Sequence, residues 1–289
     1  MEGIKPTQPL VEEWMSFTYG SVYYKDAVDG QFGREHWPEL RMIFHRMVKK
    51  GFVENDGRDG WFRLVEDKNA PVDWQSVIKG RDSGLILPFE LREHVFIHPD
   101  TTIVVAGSKS SGKTGFLYRT VAMNMNRTNV VLLTNLEGGI SMLRDRFDAM
   151  DIEIPVPAPF KVIPVYENFH DYVKAPNTLY VIDYIDVNEQ GEFYKIGGKI
   201  KKIDQKLQGM NSNAVVGLQK PLGRDMAFGK DQTMKVASLY IAMDSSRLKI
   251  VDAKVSADKK VHPKNMAWTF LYDNEGTRFV NIQPDYGGE

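Results

Sequence analysis

Apolar positions along this chain change their period near residue 85, and the change divides it into two parts. In the first part, Trp37, Leu40, Phe44, Met47 and Val48 recur at helical spacing, with Ile43 widening the stripe. Pro38 stands where a first-turn proline belongs, Lys49 and Lys50 fall in the last turn, and Gly51 follows as the cap. Two weaker segments, 10–19 and 22–28, are also predicted helical. After the strong helix, 52–55 and 61–65 flank a turn at 56–60 and read as a β-hairpin. Residues 66–84 are polar, contain Pro71 and have few periodic apolar positions, so they read as a linker. The apolar pattern resumes at 85–89.

Beyond that point short, nearly continuous apolar runs replace the amphipathic stripe. Residues 101–106, 130–134, 178–183 and 214–219 read as buried strands. Between them, 115–123 has no helix breaker, and Ile140, Leu143, Phe147 and Met150 have helical spacing, as do Ile196, Ile200, Ile203 and Leu207. Strands alternating with helices predict an α/β fold, a parallel sheet flanked by helices with its ligand at the carboxyl edge. The expected organisation is a small domain over 1–65, a linker over 66–84 and an α/β domain over 85–289.

Composition narrows the class only a little. With 289 residues, 42% hydrophobic and 26% charged, there is material for a sizeable core. A net charge of −1 points to no partner by bulk electrostatics. The chain has no cysteine, which excludes disulfides, thiolate metal sites and cysteine nucleophiles and is compatible with a cytoplasmic setting. No apolar run approaches the ~18 residues of a membrane helix.

The chemistry lies in Gly107-Ser108-Lys109-Ser110-Ser111-Gly112-Lys113-Thr114, which fits the phosphate-binding pattern G-x-x-x-x-G-K-[ST]. A strand run precedes it and a helix-compatible run follows. That geometry turns successive N–H groups, from Gly107 through Ser110, Ser111 and Gly112, and a helix N-terminus toward phosphate oxygens. Lys113 is expected on the β/γ-phosphates of ATP, and the Thr114 hydroxyl on Mg²⁺. The run 178–183 ends in Asp183, which suits the carboxylate that orders the metal's water shell; Asp186 competes for that role. Glu137 and Gln219 also fall at strand ends.

Taken together, residues 85–282 resemble the RecA-like ATPase domain of DnaB-type replicative helicases. Thr134-Asn135-Leu136-Glu137 is similar to that family's Ser-Leu-Glu-Met, and Val181-Ile182-Asp183-Tyr184 matches its Walker B phrase. Val216-Gly217-Leu218-Gln219 and Ile250-Val251-Asp252-Ala253-Lys254 occupy the places of two later strands. The resemblance implies that Glu137 activates the attacking water and that Gln219 senses the γ-phosphate. It also implies that Lys254 reaches a neighbouring subunit's nucleotide and that the protein forms a homo-oligomer, such as a hexameric ring. Gln219 is equally readable as a structural strand end, and Lys259, Lys260 and Lys264 are alternatives to Lys254. No arginine stands out as a finger acting within the same chain. The family's Gln-Leu-Asn-Arg is replaced here by Gln219-Lys220-Pro221-Leu222, and its primase-interacting domain by another segment. Three helices and a hairpin over 1–65 resemble a winged helix-turn-helix, a module for DNA or for protein contact. Its 9 Lys+Arg against 10 Asp+Glu lack the basic footprint of a dedicated DNA reader.

Residues 195–235 carry the main charge asymmetry, 9 Lys+Arg against 3 Asp. Lys195, Lys199, Lys202 and Lys206 form a helical stripe, either a phosphate track or a solvated face. Lys220, Arg224 and Lys230, with Phe228 and two glycines, suit a loop that contacts single-stranded DNA. The expected function is an Mg²⁺-dependent ATPase acting on DNA, helicase-like or accessory to replication or to a phage or other mobile element. The alternative is an ATP-switched winged-helix binding module with little turnover, and a third possibility is an ATPase that recruits a protein partner. Glu137 favours turnover, because a switch has no need of a water-activating base.

Overall fold

The computed structural model describes residues 5–16, 18, 20–26, 32, 34–65, 74–76, 78, 80–185, 194–228, 231–273 and 276–286. The chain forms two compact units, Met1–Ile78 with Glu189–Gly198, and Lys79–Asn188 with Lys199–Glu289.

The first unit contains α1 (Gln8–Ser16), β1 (Val22–Tyr23), α2 (Trp37–Lys49), β2 (Val53–Asn55) and β3 (Trp61–Leu64). The strong stripe is α2, and its apolar face is buried through Leu40, Ile43, Phe44 and Met47. Gly51 at φ 72° ends it, with Phe52 N–H donating to the Met47 carbonyl and Gly51 N–H to that of Val48. The expected hairpin is present as β2 and β3, in an antiparallel sheet ordered β1-β3-β2. The helix expected at 22–28 is corrected: Val22 and Tyr23 are a strand, paired with Phe62 and Trp61. A β-branched residue and an aromatic fit a pleated surface, where the Tyr23 ring meets Trp61 at 5.7 Å. Residues 27 and 28 lie outside the described residues, as do 66–73 of the expected linker.

The second unit is built on a nine-stranded sheet ordered β12-β11-β10-β9-β4-β8-β7-β5-β6. The expected strands are β4 (Thr102–Gly107), β5 (Asn129–Thr134), β7 (Thr178–Ile185), β8 (Asn213–Gln219) and β10 (Arg247–Ala253). To these the structure adds β6 (Lys161–Pro164), β9 (Leu239–Asp244), β11 (Ala267–Asp273) and β12 (Arg278–Asp285). From β9 through β6 neighbours run parallel, whereas β10, β11 and β12 are antiparallel. The unit's α-helices are α3 (Lys113–Asn124), α4 (Gly139–Asp148), α6 (Asp231–Val236) and, from Lys199 on, α5 (Tyr194–Leu207). Every residue of β4 is buried, as a strand flanked on both edges and covered on both faces must be. Leu85, Leu87 and Phe89 enter this core, and the Asn124 side chain fastens their segment by bonding both Ile86 N–H and its carbonyl. No helix among the described residues is long and apolar enough to cross a membrane.

Candidate nucleotide site

The parallel strands β4, β5, β7 and β8 end at one edge of the sheet, and their loops enclose a cavity of about 740 Å³. Gly107 through Thr114 line it continuously. Local chemistry explains the loop. A Cβ at Gly107 would collide with the Ser111 and Lys113 side chains, so only glycine lets the chain turn there. Ser110 at φ 58° and Gly112 at φ 81° curl the backbone before α3 begins at Lys113. Gly115, in the first turn of α3, has no room for a Cβ against the Gly276 carbonyl oxygen. The Tyr272 hydroxyl donates to the Ser110 carbonyl at 2.7 Å and braces the loop from β11.

Lys113 lines the cavity and carries its ammonium 3.7 Å from the centre of the Tyr184 ring. Thr114 Oγ1 donates to Asp183 Oδ1 at 3.3 Å, which leaves the hydroxyl's lone pairs for a cation. Asp183 is buried, and its peptide bond to Tyr184 is cis. Asp186, the competing carboxylate, lies outside the described residues. Burial pushes the Asp183 carboxyl up from its ordinary value, while the Lys113 ammonium and the Thr114 hydrogen bond oppose the shift. A hydroxyl and a carboxylate at a phosphate-binding loop fit Mg²⁺, which takes few protein ligands and completes its shell with phosphate and water. No cluster of three or more His, Asp or Glu side chains placed to hold a metal ion occurs among the described residues.

Glu137 and Gln219 line the same cavity. Glu137 is exposed on the turn after β5, where Asn135 Oδ1 accepts its N–H and Gly138 and Gly139 take positive φ to start α4. Arg146, on α4, also lines the cavity, a residue that the sequence did not single out. Burial and the Asp183 carboxylate push the Tyr118 hydroxyl up from its ordinary value, against hydrogen bonds with Thr134 and Arg146. Sequence reasoning also missed Tyr184, Tyr272 and Asp244. Arg146 had a legible signal, since it follows Met142 by four residues on a helix that starts beside Glu137.

The residues expected on DNA fare unevenly. Lys220 is a correction. Its side chain is fully buried and its Nζ lies 2.7 Å from Asp244 Oδ1, so it is not available to a strand. The residues after it are held rather than free: Asp225 pairs with Lys249 at 2.7 Å, and Ala227 N–H donates to the Tyr240 hydroxyl at 2.9 Å. Leu222 and Arg224 remain exposed at the tip; Lys230 lies outside the described residues. On α5 the expected apolar stripe is buried, Lys199 and Lys202 are half-buried, and Lys206 is exposed. Lys254 is exposed beyond β10, at the sheet edge opposite the phosphate loop, with its Nζ 3.4 Å from the Val236 carbonyl.

No family model matches the chain, and no curated protein matches it. Solved structures do. A KaiC-like protein from Pyrococcus horikoshii aligns at a TM-score of 0.53 and 17% identity, over 71% of this chain and 98% of that one. A separately solved ATPase domain aligns at 0.52 and 14%, over 70% and 90%. A DnaB-like replicative helicase, described with its interactions with primase, aligns at 0.51 and 14%, over 72% of this chain and 66% of that one. At these identities the likeness is one of fold: the chain has a RecA-like α/β fold, preceded by a small antiparallel sheet with helices.

Proposed function

We propose that this chain is an Mg²⁺-dependent ATPase that assembles with itself and acts on single-stranded DNA. The observation that carries the reading is the Thr114–Asp183 hydrogen bond at the foot of a cavity lined by Lys113 and Glu137. Backbone N–H groups of Gly107 to Gly112 and the Lys113 ammonium would hold the phosphates, with Thr114 and Asp183 on the metal side. A cation held by Thr114 and Asp183 would supply charge neutralisation to the phosphates. Glu137, exposed into the cavity, would orient and deprotonate the attacking water, and Arg146, which lines the same cavity, would assist from the same chain. Gln219, at the end of β8, would report the γ-phosphate to the loop carrying Leu222 and Arg224.

Support for the DNA part is narrower than the sequence alone implied. Arg224, Lys206 and Lys230 remain its candidates, with Lys199 and Lys202 beside them, and Lys254 remains the candidate for a neighbouring subunit. For the first unit the reading we favour is a winged-helix-like module for protein contact. Arg58 is bound by Asp56 and stacked on Trp61, Arg41 lies 3.6 Å from Asp59, and Arg63 pairs with Glu54, so these three arginines already have acidic partners. A helicase-like or accessory replication ATPase fits these features.

The test is steady-state ATP hydrolysis with and without single-stranded DNA, beside Lys113→Ala. Stimulation by DNA that disappears in the variant is expected. Tight ATP binding with negligible turnover in both conditions would replace this reading with the ATP-switched module.

A further inference from the structure

Lys220 is among the largest fully buried side chains of the molecule, yet it carries a charge. Its Nζ donates to Asp244 Oδ1 at 2.7 Å, and the Ser108 hydroxyl donates to the same oxygen at 2.9 Å. The backbone closes the arrangement. Lys220 N–H donates to the Gly107 carbonyl at 3.1 Å, and Ser108 N–H to the Met243 carbonyl at 3.2 Å. The ends of β8, β4 and β9 therefore meet on one ammonium–carboxylate pair at the start of the phosphate loop. The same strand end carries Gln219 into the cavity and continues into the anchored loop whose exposed tip holds Leu222 and Arg224.

Burying a lysine is costly unless its charge is matched, and a partner removed from such a pair leaves the other uncompensated. Here the match matters for a second reason. Asp244 alone would set a negative charge beside a loop whose N–H groups and lysine attract phosphate. We propose that Lys220 is a positioning residue of the nucleotide site. It neutralises Asp244, so that Asp244 can hold Ser108 without repelling phosphate, and it ties the phosphate loop to the loop that follows β8. This rests on the nucleotide reading given above.

The sign of the effect separates this role from simple packing. Lys220→Met leaves the Asp244 charge unmatched against Ser108 of the phosphate loop, so ATP, the more negative ligand, loses more affinity than ADP. Asp244→Asn keeps an acceptor for Ser108 and removes the negative charge, so ATP affinity holds or rises. The double variant restores charge balance. A purely structural pair would weaken both nucleotides alike whichever partner was removed.

The experiment is equilibrium titration of fluorescent ATP and ADP analogues with Mg²⁺ into the full chain, with Lys113→Ala as control. We expect Lys220→Met to bind the ATP analogue on the order of tenfold more weakly, the cost of one unmatched negative charge near the phosphates. The ADP analogue should lose less, and the double variant should recover most of the difference. Equal losses in Lys220→Met and Asp244→Asn, or a double variant as weak as Lys220→Met, would overturn the proposal. Should Lys220→Met fail to fold, a loss of ATP affinity in Asp244→Asn or in the double variant overturns it by itself. No binding by the unaltered chain, with Lys113→Ala indistinguishable from it, would overturn the nucleotide site itself and this role with it.

Discussion

Two loops leave neighbouring parallel strands at the same edge of the sheet, and each contains a lysine close to glycines. In the loop after β4, Lys113 faces the cavity over the Tyr184 ring. In the loop after β8, Lys220 turns inward onto Asp244. Composition cannot tell these two lysines apart. What differs is the spacing of the glycines and the partner that the fold supplies. Gly107 and Gly112 bracket a tight turn that aims its donors outward, whereas Lys220 follows a buried strand directly and meets a carboxylate from the end of β9, across the intervening β4 and 24 residues on in sequence.

The largest effect that would sharpen this contrast is expected at Lys113. Replacement by alanine removes a preorganised cation from the phosphates, and ATP turnover should fall by about 10²–10³. A loss far below that would place the working lysine elsewhere. The next test concerns the packing behind the loop. Gly115→Ala drives a Cβ into the Gly276 carbonyl, a backbone group that cannot step aside. Overpacking of this kind should destabilise the chain by about 1–3 kcal/mol, read from denaturant midpoints. On the second loop, Leu222→Ala with Arg224→Ala should raise the oligonucleotide concentration needed for half-maximal stimulation by about tenfold, the loss expected for one apolar and one phosphate contact. An unchanged value would move the strand to α5 and Lys206.

The smallest effect belongs to Asp204, which repeats the Lys220 lesson with opposite charge. It lies within the lysine-rich helix α5, yet it points inward and accepts a hydrogen bond from Thr102 Oγ1 at 2.9 Å. Burial pushes its carboxyl up from the ordinary value of 3.8, against the Thr102 bond and the Lys254 charge. A raised acid stabilises the fold while protonated and loses that contribution as pH rises through the folded value. Asp204→Asn keeps an acceptor and cannot ionise. Its melting temperature should exceed that of the unaltered chain at pH 7, by less than about 1 kcal/mol in stability, with the gain vanishing in acid. A gain independent of pH would mean that Asp204 is not held against its ionisation.

Much of the α/β frame was legible because its signals are local. The β-branched runs of β4, β5, β7 and β8 and the glycine-rich turn between β4 and α3 need no tertiary information. β6 was missed because Lys161-Val162-Ile163-Pro164 is short, exposed and ends in proline at the sheet edge. β1 was misread because two residues carry no period, and only their pairing with Phe62 and Trp61 makes them a strand. At the site, the motif residues that line the cavity were readable from spacing. Asp244, Tyr184 and Tyr272 were not, because each reaches the phosphate loop from a different strand. The fate of Lys220 was illegible for the same reason: whether a lysine faces solvent or a carboxylate is decided by which strand ends lie within reach, and here the partner comes from β9, beyond β4.

The central claim is that the cavity turns over ATP rather than merely holding it, and Glu137 decides it most directly. The measurement is hydrolysis of pre-bound ATP in a single turnover by Glu137→Gln beside the unaltered chain, with Mg²⁺ and single-stranded DNA present. Similar ATP affinity with hydrolysis slowed by about 10²–10⁴ is the predicted result, the contribution of a positioned general base. Equal rates in the two proteins, or no hydrolysis by the unaltered chain, would contradict it.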